Sequence, residues 1–238
     1  MKTKFKNRGF TLAEVLMAVG ILSIGLMLIA TMFPAALYLT TVASERTMAA
    51  IVADEAFAKI KLFGLQAYPS GISDYNNISR SPLIDPNEYS YPSVDPCSTD
   101  VRQYYWSALC KRTDPCEYQV TVFVARKTSP AHTYYRGGEH GKRPKVIDVN
   151  VIAQVSPLDA NQLTVQNAGQ AKYVNPPTAV LDNATGKIYH IIDRNNAIVT
   201  LDRPWEDAAG VKPIWLIPPP QSGGKNADIE VYQEIIKF

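Results

Sequence analysis

The sequence is poor in the residues that usually carry chemistry. It has three cysteines and three histidines in 238 residues. Cys97, Cys110 and Cys116 form no CxxC pair and have no histidine at ligand spacing, which argues against a zinc site. His132 and His140 fall in a Gly-rich loop and His190 in a predicted strand, again without metal-ligand spacing, so solvent-facing or half-buried roles are expected of them. A Gly-rich phosphate loop and a nucleophile elbow are both missing. The expectation is a chain that is not an enzyme and holds neither cofactor nor metal. An excess of one charge is missing too: 24 basic residues against 22 acidic give a net charge of +2, too little for a strong global pull toward nucleic acid or anionic surfaces.

The small basic excess is concentrated at one end. Lys2, Lys4, Lys6 and Arg8 all precede the run "GFTLAEVLMAVGILSIGLMLIA", and without them the chain is slightly acidic. From Val15 to Ser44 no residue carries a formal charge. As a helix this stretch reaches roughly 45 Å, more than the roughly 30 Å a bilayer core requires. The basic residues ahead of it place the amino end on the cytoplasmic side and everything after about residue 45 on the other. A cleaved secretory signal fits poorly, because the apolar run is too long and passes smoothly into a polar helix. An uncut signal anchor is the simpler alternative, but it gives no reason for Gly9 before Phe10, nor for Glu14 inside the apolar run.

The helical pattern continues in "SERTMAAIVADEAFAKIKLFG". Ala49, Val52, Ala53, Ala56, Phe57 and Ile60 recur at helical spacing opposite Arg46, Asp54, Glu55, Lys59 and Lys61, and Gly64 is the expected stop. One helix from Phe10 to Phe63 is predicted, membrane-spanning over 10–39 and amphipathic over 40–63, with a kink or melted turn near Pro34. Ala18, Gly20, Ser23 and Gly25 are small enough for close approach of neighbouring helices.

These residues carry a family resemblance. The basic leader 1–9, Gly9, and the tract Phe10-Thr11-Leu12-Ala13-Glu14-Val15-Leu16 resemble the amino-terminal signature of type IV prepilins and of type II secretion pseudopilins. "EVLMAVGILSIGLM" most resembles the minor pilins of the PilV type. The resemblance implies cleavage between Gly9 and Phe10 by an inner-membrane prepilin peptidase, followed by N-methylation of Phe10. It also implies assembly with other pilins or pseudopilins through the amino-terminal helices, by way of an inner-membrane platform. Glu14 then has a physical purpose: buried in a bundle of helices, its carboxylate can meet the new amine of Phe10 on an adjacent subunit, where a paired charge is tolerated and a lone one is not.

Residues 64–116 are rich in Pro, Ser, Asp, Asn and Tyr and read as an irregular connection, with a short helix or strand in "RQYYWSALCKR". Residues 117–238 read as a β-rich head. "EYQVTVFVARK" and "KVIDVNVIAQV" alternate for antiparallel strands with one face on a core, and "GKIYHIIDRNNAIVTLDRPWE" reads as a tight hairpin. The fold expected is α+β and pilin-like: one long helix packed on an antiparallel sheet, with additional carboxy-terminal β-hairpins. In an exported head one disulfide and one spare thiol are expected. Cys110 and Cys116 bracket a short proline-containing loop, and Cys97 is an alternative partner for either.

The one local charge anomaly is "RKTSPAHTYYRGGEHGKRPK". Arg126, Lys127, Arg136, Lys142, Arg143 and Lys145 surround Tyr134 and Tyr135, a mixture of cations and rings that suits a ligand or single-stranded DNA, although a solvated hairpin loop explains it more simply. Asp182, Asn183, Asp193, Asn195 and Asn196 suggest calcium, but Asx turns account for them at less cost. The sequence thus favours a minor pilin or minor pseudopilin that primes, caps or decorates a filament. A filament-displayed adhesin or DNA-binding module comes second, and a signal-anchored periplasmic enzyme third.

Overall fold

A computed structural model describes residues 10–66, 71–79, 86–92, 103–138, 141–153 and 160–238. Gly9 with the rest of the leader, Cys97 and His140 lie outside them. The chain divides into two compact units, Met1–Glu45 and Arg46–Phe238.

The first unit is the apolar part of helix α1 (Leu12–Phe63). Its large side chains Leu16, Met17, Ile21, Leu22, Met27, Phe33 and Leu39 are all exposed. Its hydroxyls satisfy themselves on the helix, Ser23 donating to the Val19 carbonyl and Thr40 to that of Ala36, as an apolar solvent requires. Helix α1 is long and apolar enough to cross a membrane. It runs unbroken through Pro34, so the melted turn expected there does not form. A proline removes one backbone donor, and the turns on either side keep theirs.

In the second unit the last turns of α1 bury the predicted stripe. Ala49, Val52, Ala53, Ala56, Phe57 and Ile60 are all buried. Gly64, at φ +66°, stops the helix with its N–H on the Ile60 carbonyl, 3.0 Å away. The stripe packs on a five-stranded antiparallel sheet of β1 (Ser73–Asp74), β2 (Ser90–Tyr91), β3 (Tyr104–Asp114), β4 (Glu117–Arg126) and β11 (Asp228–Lys237). The order is β1-β3-β4-β11, with β2 also on β3. The stretch expected to be irregular therefore holds an eleven-residue strand, β3, at the centre of the sheet. Its Trp106, Ala108 and Cys110 face the helix, so this strand belongs to the head.

The carboxy-terminal strands are more than added hairpins. The strands β5 (Ile147–Ala153), β6 (Gln162–Val165), β7 (Thr178–Asp182), β8 (Ile188–Asn195), β9 (Ile198–Leu201) and β10 (Gly210–Leu216) close into a barrel in the order β10-β5-β6-β9-β8-β7. Closure removes both free edges. Val149, Val151, Leu163, Val180, Tyr189, Ile191, Val199 and Ile214 fill its interior. β5, predicted to pack on the helix, lines this barrel instead and keeps the strict alternation of a strand with one wet face.

Strand β4 is buried on both faces because it lies between two cores. Val120, Val122 and Val124 meet the helix stripe, while Phe123 and Ala125 join Leu109, Tyr134, Val146, Leu181 and Ile217 on the barrel side. The β7–β8 turn seals this second contact. The Gly186 carbonyl accepts from Gln119 and Gln233, and a Cβ at Gly186 would stand 2.6 Å from the Gln119 side chain.

Candidate functional site

The residues of the processing motif that the structure describes form the start of α1. Phe10 is 87% exposed. Thr11 caps the helix. Its carbonyl accepts from Val15 N–H at 3.2 Å, and its hydroxyl oxygen accepts from Glu14 N–H at 3.3 Å. In return Glu14 Oε2 accepts from both the Thr11 N–H and the Thr11 hydroxyl, each at 2.9 Å. This reciprocal arrangement is a capping box, satisfying two donors that a helix start leaves without partners. Its signature, Thr11 followed three residues on by Glu14 before an apolar run, stands in the sequence. Glu14 therefore has a local task at the helix start, and its Oε1 makes no hydrogen bond among the described residues. At Gly20 and Gly25 a Cβ would meet nothing within 4 Å, leaving two bare patches on the helix surface.

The cationic loop is dismantled by the fold. Tyr134 is fully buried in the sheet–barrel core, its hydroxyl accepting from the Thr128 N–H at 3.1 Å, and cannot stack on a ligand. Arg143 is buried with its guanidinium 4.5 Å from the centre of the Tyr89 ring. Arg136 pairs with Asp148 at 3.1 Å and Lys145 with Asp74 at 2.9 Å. The loop folds tightly because Gly138 and Arg143 exchange backbone hydrogen bonds, and a Cβ on Gly137 would stand 2.5 Å from the Arg143 carbonyl. Among Tyr134, Tyr135, Arg136, Lys142 and Arg143, the residues best placed by the sequence for ligand contact, Tyr135 stays half-buried and Arg136 and Lys142 are exposed. Tyr135 has partners the sequence did not announce: its ring lies 4.9 Å from that of Tyr173, with the Lys172 ammonium 4.7 Å above it.

Cys110 and Cys116 are both free thiols, correcting the expected disulfide. Cys110 points from mid-strand into the helix–sheet core, where burial pushes its thiol up to about 12, while Cys116 is exposed at the β3–β4 turn. The Asx-turn account of Asp182 holds: its carboxylate accepts from Ala184 N–H, Thr185 N–H and the Thr185 hydroxyl. Asn183 is occupied as well, accepting from the Trp215 indole N–H at 2.8 Å. His132 hydrogen-bonds the Thr128 hydroxyl, and His190 lies on the rim beside Asp202.

Residues 4–30 match a family model described as the prokaryotic N-terminal methylation motif. No curated protein and no solved structure matches the chain. Together with the apolar helix, the motif supports a membrane-anchored type IV pilin-like or pseudopilin subunit, and it implies processing by prepilin peptidase and assembly with other pilins.

Proposed function

We propose that this chain is a minor pilin or minor pseudopilin that primes, caps or decorates a type IV pilus or a type II secretion pseudopilus. The observation that carries the reading is a capped helix start, Thr11 to Glu14, directly after the Gly9-Phe10 pair and leading a run of helix whose large apolar side chains are exposed. The precursor sits in the cytoplasmic membrane with its basic leader inside and its head outside, following the charge asymmetry. Cleavage after Gly9 converts an amide into a cationic amine on Phe10. The cap survives, because Thr11 keeps its amide N–H. Glu14 then caps its own helix through Oε2 while Oε1 receives the amine of a neighbouring subunit, which fixes axial register inside the bundle. The role is mechanical and assembly-directed, with no catalysis of its own.

The test is the intact mass of protein extracted from membranes. A species that starts at Phe10 and carries one extra methyl group is expected. A species retaining Met1 to Gly9, in cells that process their other prepilins, would leave a plain signal anchor and overturn the proposal.

A further inference from the structure

At one mouth of the barrel the 3₁₀ segment Ala168–Tyr173 is tied down by Arg194, near the end of β8. Its Nη1 donates to the carbonyls of Ala171 at 2.7 Å and Val174 at 3.0 Å. Between this segment and the β8–β9 turn opens a cleft of about 340 Å³, lined by Ala168, Ala171, Lys172, Arg194, Asn196 and Ala197. Register explains how the cations come to line it. Arg194 pairs with Val199, whose side chain is inside the barrel, so Arg194 projects on the inner side toward the mouth. Asp193 pairs with Thr200 and projects outward, because a bulge shifts the register between Ile191 and Asp193.

The lining has an unusual composition for a head whose basic and acidic residues balance. It holds an ammonium, a guanidinium and a carboxamide, and among the described residues no carboxylate. Neither Lys172 nor Arg194 pairs with an acid among the described residues. Asn196 sits at φ +55°, a left-handed turn position that presents its amide to the cleft without strain for this residue type. Three alanine methyls supply an apolar floor, and the Lys172 ammonium connects the cleft to the tilted Tyr135–Tyr173 ring pair.

We propose that this cleft binds an acidic monosaccharide unit, a sugar bearing a carboxylate such as a uronic acid. Its volume is at the lower end of small-molecule sites and suits one ring. The carboxylate is met by Lys172 and Arg194 through charge-assisted hydrogen bonds, the hydroxyls by Asn196, and the apolar face of the sugar by the alanine floor and the adjoining tyrosines. A nucleic-acid strand fits less well. Strands need a continuous basic track with stacking rings, whereas here the nearby cations Arg136 and Lys145 are paired with Asp148 and Asp74, and Arg143 is buried. This inference is independent of the filament role, since the site lies wholly within residues 168–197 and their neighbours on the barrel.

The test is a titration of the full chain in detergent micelles with glucuronate, glucose and inorganic phosphate, followed by ligand-observed NMR. Saturable binding of glucuronate with Kd on the order of 1 mM is expected, with glucose and phosphate each about tenfold weaker or more. Lys172→Gln, at an exposed position, and Asn196→Gly, which keeps the left-handed turn, should each weaken glucuronate about tenfold while the thermal transition stays in place. Absence of saturable binding overturns the proposal. So does glucose binding as well as glucuronate, phosphate competing as tightly as the sugar acid, or either variant binding like the parent.

Discussion

The two parts of helix α1, 34 residues up to Glu45 and 18 from Arg46 on, have opposite fates. Over residues 12–45 the large apolar side chains face outward on every side, while over 46–63 six apolar residues form one buried stripe with Lys59 and Lys61 at its flanks. The difference is in how the apolar residues are distributed around the helix rather than in their proportion, which is similar in both parts. An all-round apolar surface cannot be covered by one sheet, and so calls for lipid or other helices; a single stripe is covered by a single sheet face. The charges follow the same logic. In the second half Lys59 reaches Glu55 at 2.8 Å and Glu88 at 2.9 Å, and Lys61 reaches Glu234 at 2.6 Å. In the first half Glu14, inside the apolar run, is held by the cap.

The sharpest way to break this contrast is at Glu14. Glu14→Val should leave cleavage after Gly9 largely intact yet reduce incorporation into filaments by tenfold or more, scored by immunoblot of sheared filaments. Glu14→Gln, which retains an acceptor for Thr11 but no charge, separates cap from ion pair. Recovery of normal assembly by Glu14→Gln would show that capping, and not pairing with Phe10, is what the carboxylate supplies.

A smaller effect distinguishes the halves by stability. Ile60→Ala removes a fully buried side chain from the helix–sheet core and should destabilise the head by about 2–5 kcal/mol. Ile24→Ala, at a site 63% exposed, should leave the head's unfolding midpoint unchanged. Denaturation in micelles followed by tryptophan fluorescence compares the two, because Trp106 lies in that core. Equal losses would mean that the first half also supports the head.

The smallest effect concerns pH and belongs to the second unit alone. Asp228 sits where the β11 register shifts, accepting from the Ala179 N–H at 2.8 Å through Oδ2, with Oδ1 sealed from solvent and unpartnered. Desolvation pushes its carboxyl up to about 7, with the charge of Glu230 acting in the same direction. In the unfolded chain the same group titrates near 4. The native state therefore holds its proton more tightly, and the stability this group contributes is fully present below about pH 4, declines between about pH 4 and 7, and is gone above. Asp228→Asn stays neutral throughout, so its midpoint relative to the parent should rise between pH 4 and pH 8. Parallel curves would assign the pH dependence elsewhere.

Much of the helix was legible because helical spacing is a local property. The stripe from Ala49 to Ile60 and the stop at Gly64 were all readable from residues within a few turns of one another. The β8–β9 hairpin was equally local, its two-residue turn being Asn196 and Ala197 with Asn196 at positive φ. Strand β3 was obscured because "YYWSALCKRTD" buries residues on both faces near its middle and so lacks the alternation that marks a strand. The disulfide expectation failed for a related reason: spacing along the chain does not say that Cys110 faces a core and Cys116 a turn.

The sequence by itself determined the membrane-length helix, its cap at Thr11 and Glu14, its amphipathic continuation and the motif at residues 4–30, since each depends on neighbours in the chain. Only the tertiary structure decided that β5 to β10 close into a barrel, that Tyr134 and Arg143 are buried, and that Lys172, Arg194 and Asn196 share one cleft. Those outcomes rest on strand register and on which face of each strand finds a partner, and both are set by contacts between residues far apart in sequence.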